Sequence, residues 1–148
     1  HRLWEPLELK QNIPTPYAGK FSVPYCIGIA MVDGSAGLIQ FTGERFEDPV
    51  ARSIAQKVTY VIDPENEYPA NYTGHLKATM KDGTVHEFEQ PHMRGGPAEP
   101  LSEEELVGKF RANCEYGGWD AGRIDELQSY CLGIAGAENL DGLKAFRG

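Results

Sequence analysis

Lys20 stands between a proline-punctuated turn and a long apolar run, and three hydroxyl side chains, Tyr17, Ser22 and Tyr25, lie close to it in the chain. An ammonium group flanked by hydroxyl donors is a chemistry for holding a carboxylate: the lysine supplies the charge and the hydroxyls supply directed hydrogen bonds. The same residue types also have structural uses. A tyrosine packed amphipathically satisfies its hydroxyl locally, a serine ahead of an apolar run caps a helix, and a lysine at a turn is an ordinary surface charge or a bridge to another domain. A second set is His92 and Arg94 in the segment PHMRGGPAEP, where an imidazole and a guanidinium on a glycine-rich loop can close over an anion or simply belong to a solvated linker.

Other chemistries find no footing. No pair of His, Cys, Asp or Glu has metal-ligand spacing, and no nucleophile elbow, phosphate-binding loop or dinucleotide fingerprint is present. The three cysteines, Cys26, Cys114 and Cys131, are an odd number without a CxxC. Cys26 and Cys131 sit in apolar runs and read as buried free thiols of a reducing compartment, cytoplasm or organelle matrix. Asn71-Tyr72-Thr73 matches a glycosylation acceptor by chance frequency, and the run Glu103 to Glu105 is explained by helix capping and the helix dipole.

The elements that must position these residues follow from periodicity. Leu7 to Lys10 alternates apolar and polar, a strand pattern. From Phe21 to Val32 the run is long and apolar, which favours a buried helix with Pro24 in its first turn, Gly28 either weakening it or marking close packing against another element, and Asp33-Gly34 ending it. Asp48-Pro49 opens another helix with Val50, Ile54 and Ala55 as its apolar face, running to about Gln56. Val58 to Ile62 (VTYVI) reads as a strand. Thr73 to Met80 and Thr84 to Gln90 form a hairpin. A three-residue loop, Lys81-Asp82-Gly83, pairs Leu76 with Phe88 and Ala78 with His86 and gathers the apolar side chains on one face. Ser102 and Glu105 make a capping box ahead of a helix with Leu106, Val107, Phe110 and Cys114 inside, stopped by Gly117-Gly118. Ile124, Leu127 and Cys131 mark a second helix, and Leu140, Leu143 and Phe146 a short third.

The predicted class is therefore α+β, with an α+β portion over residues 1–95 and a helical segment over 96–148. The narrow apolar stripes of that segment predict that it packs on something larger. With 148 residues, 41% apolar and 24% charged, the chain is globular rather than disordered. Its net charge of -8 argues against nucleic acid or an anionic membrane as partner. No apolar stretch reaches the ~20 residues of a membrane span. The sequence opens at His1 without a methionine, which predicts a processed subunit or one piece of a longer polypeptide.

AGKFSVPYCIGIAMVDG resembles a signature near the start of the C-terminal region of the MmgE/PrpD family. Three later segments fit the same family in order: Phe41-Thr42 to Asp48-Pro49, the Lys81-Asp82-Gly83 hairpin, and EPLSEEELVGKFRAN. The resemblance covers nearly the whole chain. It implies a small α+β lid-like domain followed by helices that return to a larger all-helical domain. It also implies dehydration, decarboxylation or epimerisation of a small polycarboxylate by acid-base chemistry, without metal or organic cofactor.

The catalytic Asp, His and Lys residues of the family lie mostly in segments that would precede His1, so no catalytic residue is assigned here and the chain alone is expected to be inactive. A lid tyrosine of the decarboxylase branch falls near Trp4 to Leu7, where no tyrosine stands, and is not carried over. The segment His92 to Gly96 is less basic than its counterpart in the 2-methylcitrate dehydratase branch. Lys20, Tyr17, Ser22, Tyr25, His92 and Arg94 are then the candidate substrate contacts. The expected partners are an N-terminal helical domain or subunit of the same enzyme, in a homo- or hetero-oligomer. The competing expectation is a non-catalytic lid or assembly subunit.

Overall fold

A computed structural model describes residues 2–147. Helices and one antiparallel sheet share the chain, so the class is α+β. The chain divides into two compact units, His1–Ile62 and Asp63–Gly148.

The first unit is helical. Five short helices follow one another: α1 (Leu7–Gln11), α2 (Pro16–Gly19), α3 (Val23–Asp33), α4 (Gly43–Phe46) and α5 (Pro49–Ala55), with a 3₁₀ turn at Leu38–Phe41. Local chemistry explains their ends. Ser22 caps α3 by accepting from the Tyr25 N–H, Pro24 sits in the first turn where no intrahelical donor is lost, and Gly34 closes the helix at φ 68°. Asp48 caps α5 by accepting from the Val50 and Ala51 N–H groups, with Pro49 at the first helical position.

The core of this unit is Ile13, Tyr25, Ile29, Phe41, Phe46 and Ala51. Tyr25 is its centre: its ring meets Phe41 and Phe46, each at 5.7 Å between centroids, and its hydroxyl donates to the Gln40 carbonyl at 2.8 Å. α3 packs on α5 through small residues. Gly28 of α3 faces the α5 backbone, and the buried residues of α5 are Ala51 and Ala55.

Three expectations change in this unit. Leu7 to Lys10 is helix α1, not a strand: a four-residue alternation is too short to exclude a helical turn, and Lys10 N–H donates to the Pro6 carbonyl as a helix requires. Val58 to Ile62 forms no strand. Val61 and Ile62 are exposed, and the segment is held instead by the Gln11 side-chain amide, which donates to the Gln56 and Val58 carbonyls at 3.1 and 2.8 Å. β-branched composition favours a strand only where a neighbouring strand exists to pair with it. Val50 is exposed and Ala51 takes the place in the core, because Ala51 and Ala55, one turn apart, are the positions of α5 that meet Gly28 of α3.

The second unit holds the hairpin β1 (Gly74–Thr79) and β2 (Val85–Gln90), then α6 (Glu103–Tyr116) and α7 (Ala121–Leu132). The hairpin has the predicted register, Leu76 opposite Phe88 and Ala78 opposite His86, with Gly83 at φ 88° in the loop. Met80 N–H donates to the Thr84 carbonyl at 2.8 Å and Gly83 N–H to the Met80 carbonyl at 3.0 Å. α6 begins with the full capping box: the Glu105 N–H donates to Ser102 Oγ and the Ser102 N–H to Glu105 Oε2. Asp120 caps α7, and Ile124 is its one fully buried apolar residue.

Trp119, Tyr130 and Phe146 gather the 3₁₀ turn Asp141–Phe146 against α7, with Arg123 stacked on Trp119 at 4.0 Å. Leu106 is exposed rather than inward, while Val107, Phe110 and Cys114 are half-buried. Cys131 is exposed and Cys26 half-buried, so neither thiol is fully interior; all three cysteines are free. Among the described residues no helix is long and apolar enough to cross a membrane.

Candidate functional site

The candidate site of the first unit is the turn joining α2 to α3. Thr15 caps α2 by accepting from the Ala18 N–H at 3.2 Å, and Pro16 fills the first helical position. The chain then folds back through successive turn hydrogen bonds, Lys20 N–H to the Tyr17 carbonyl, Phe21 N–H to Ala18 and Ser22 N–H to Gly19. Gly19 is tightly enclosed: a Cβ there would lie 3.0 Å from Ile13 Cδ1 and 3.1 Å from the Tyr25 ring. Lys10 Nζ donates to the Phe21 carbonyl at 2.7 Å, Ser22 Oγ donates to the Lys10 carbonyl at 2.5 Å, and Val23 N–H donates to the Leu3 carbonyl. The backbone on the C-terminal side of Lys20 is thereby held by groups from outside the turn.

This frame sorts the four residues into two pairs. Lys20 is exposed, and its ammonium has no ion pair or hydrogen bond among the described residues. Tyr17 is also exposed, its ring set edge-on to Phe21 at 5.3 Å. Ser22 and Tyr25 are buried and fully employed: Ser22 Oγ both donates to Lys10 and caps α3, and the Tyr25 phenol bonds Gln40. Burial raises the Tyr25 pKa above the ordinary phenol value, so it stays protonated as that donor. Lys20 and Tyr17 therefore face solvent at this turn, while Ser22 and Tyr25 hold it in place.

His92 and Arg94 belong to the second unit. The segment between Pro91 and Pro100 is folded by turns, with Gly95 N–H donating to the Glu99 carbonyl at 2.7 Å and an isolated bridge between Gly96 and Glu99. Arg94 is ion-paired with Glu99 at 3.3 Å and with Glu105, the same residue that completes the α6 capping box. The His92 ring is exposed on the rim of an open groove with Asn66, Asn71 and Glu89, and its carbonyl accepts from Gln90 Nε2. Among the described residues no group of three or more His, Cys, Asp or Glu side chains is placed to hold a metal ion.

Two polar assemblies escape sequence reasoning. Arg45 bridges Asp33 at the end of α3 and the α5 cap Asp48, with Gln40 Nε2 also donating to Asp33 at 3.0 Å. The backbone N–H groups of Ala51 and Val50, helped by Arg45, hold Asp48 below the ordinary aspartate pKa. In the other assembly the Tyr60 phenol donates to the Glu5 carboxylate. No local pattern signals a pairing across such a separation in the chain.

The chain belongs to the MmgE/PrpD family: the model of the MmgE/PrpD C-terminal domain matches residues 5–129. Over 107 residues it is 30% identical to cis-aconitate decarboxylase of Mus musculus, a match covering 69% of this chain and 22% of that protein. The family includes dehydratases and decarboxylases.

Proposed function

We propose that this chain is the C-terminal part of an MmgE/PrpD-type enzyme that removes water or carbon dioxide from a small polycarboxylate, or epimerises it, by abstracting a proton next to a carboxylate. The observation that carries this reading is the family match over residues 5–129. The general acid and base come mostly from the N-terminal helical portion of the enzyme, as a separate subunit or part of the same polypeptide. No metal or organic cofactor takes part. The chain walls the pocket and excludes water, and Lys20 holds a substrate carboxylate with Tyr17 beside it. An exposed ammonium without an internal partner, on a turn held rigid from outside, is suited to that contact.

The test is to assay the chain alone and together with its N-terminal counterpart on a panel of di- and tricarboxylates. The chain alone should be inactive and the mixture active. Full turnover by the chain alone sinks the division of labour, and a fully active mixture carrying Lys20→Ala removes the lysine from the site.

A further inference from the structure

The first unit carries a second place where unlike polar groups converge. The segment 2–7 lies against the stretch that follows α5. The Trp4 and Tyr60 rings meet at 5.4 Å and 43°, and the Tyr60 hydroxyl donates to Glu5. Both segments are tied to the body of the unit, the first through Val23 N–H to the Leu3 carbonyl and the second through Gln11 to the Gln56 and Val58 carbonyls. Between them is an open cleft lined by Arg2, Glu5, Pro6, Leu7 and Tyr60. The Arg2 guanidinium is exposed and has no acidic partner among the described residues, in a chain whose net charge is -8.

The polarity of this cleft is directional. The Tyr60 proton is committed to Glu5, so the phenol oxygen faces a ligand as an acceptor. The hydrogen bond to Glu5 also raises the Tyr60 pKa, which keeps the phenol protonated and that direction unchanged at neutral pH. Arg2 offers only donors, in the forked geometry that matches a carboxylate. Pro6 and Leu7 supply apolar wall.

We propose that this cleft binds a small carboxylate that also carries a hydroxyl or ammonium donor, the carboxylate on Arg2 and the donor on the Tyr60 oxygen. The assignment is independent of the role given to Lys20, which lies on a different turn of the unit.

Titration calorimetry on the 148-residue chain tests it with malate against succinate, which share a carbon skeleton and differ by one hydroxyl. Malate should bind about tenfold more tightly, the size of one directed hydrogen bond. Arg2→Gln should weaken both ligands by about tenfold or more, through loss of a charge-assisted pair. Tyr60→Phe should bring malate down to the level of succinate and leave succinate unchanged. Equal binding of the two ligands by the unaltered chain, or binding insensitive to Arg2→Gln, overturns the assignment without the need for any Tyr60 variant to fold. Binding lost with Lys20→Ala and kept with Arg2→Gln places the ligand at the other turn and also overturns it. Failure here leaves the family reading and its activity assay untouched.

Discussion

Gly28 of α3 faces the Ala51 carbonyl of α5 so closely that a Cβ built on Gly28 would stand 2.3 Å from that oxygen. The obstacle is backbone rather than a side chain that can swing away. The contact fixes how near the two longest helices of the first unit approach, and through α3 it fixes where Tyr25 and the Lys20 turn stand.

Gly28→Ala should therefore destabilise the unit although alanine is the better helix former. The propensity gain is about 1 kcal/mol. Forcing the helices apart costs roughly 1–3 kcal/mol and disturbs the Tyr25–Phe41–Phe46 cluster as well. A urea unfolding curve should show a lower midpoint. An unchanged or raised midpoint contradicts the close packing.

The four residues of the α2–α3 turn should separate by phenotype. Ser22→Ala removes a cap and a buried donor, and Tyr25→Phe strands the Gln40 carbonyl, so each should cost about 1–2 kcal/mol of stability. Lys20→Ala should change stability by less than about 0.5 kcal/mol, as surface substitutions do. In the reconstituted enzyme Lys20→Ala should lower kcat/KM by about tenfold or more, the worth of a charge-assisted contact. Thermal unfolding and steady-state kinetics on the three variants check this together.

Asp48 gives the first unit a dependence on acid. Its folded-state pKa lies below the ordinary aspartate value because the Ala51 and Val50 N–H groups and Arg45 favour the carboxylate. Its contribution is complete above the ordinary carboxylate range and is lost as pH falls through the depressed folded-state pKa. Asp48→Asn keeps a side-chain oxygen for the cap but cannot titrate. Stability measured from neutral to acid pH should fall less steeply in that variant. Identical acid limbs remove Asp48 from the account.

In the hairpin, Gly83 lies at φ 88°, where a side chain is strained although nothing crowds it. Gly83→Ala should raise amide exchange across β1 and β2 while leaving the α3 amides protected. The cost is about 1–2 kcal/mol, the penalty of the left-handed region. Unchanged exchange in the strands contradicts the assigned loop.

Thiol labelling should follow burial. Cys131 is exposed and should react first with an aromatic disulfide reagent. Cys26 should react last, because it is half-buried, its Sγ lies 3.7 Å from the Gly19 carbonyl, and burial pushes its pKa up. Cys26 labelling as fast as Cys131 would falsify the packing of Cys26 against the Lys20 turn.

Much of this chain was legible from neighbouring residues. The caps at Ser22, Asp48 and Ser102, the stop at Gly34 and the three-residue hairpin loop are each decided within a few positions, by hydrogen bonds and backbone conformations that a short stretch carries with it. The motif order that marks the family is of the same kind. Tertiary structure decided what depends on neighbours distant in the chain. It made Leu7 to Lys10 a helix and left Val58 to Ile62 without a strand, because pairing needs a partner strand and the described residues of the first unit form none. It put Ala51 rather than Val50 in the core, because Ala51 lies on the face of α5 that meets Gly28 of α3. It turned Ser22 and Tyr25 inward and left Lys20 and Tyr17 outside, a division set by which groups Lys10, Gln40 and Gly19 bring to the turn. Local sequence determines conformation; which side of a segment meets water is a property of what packs against it.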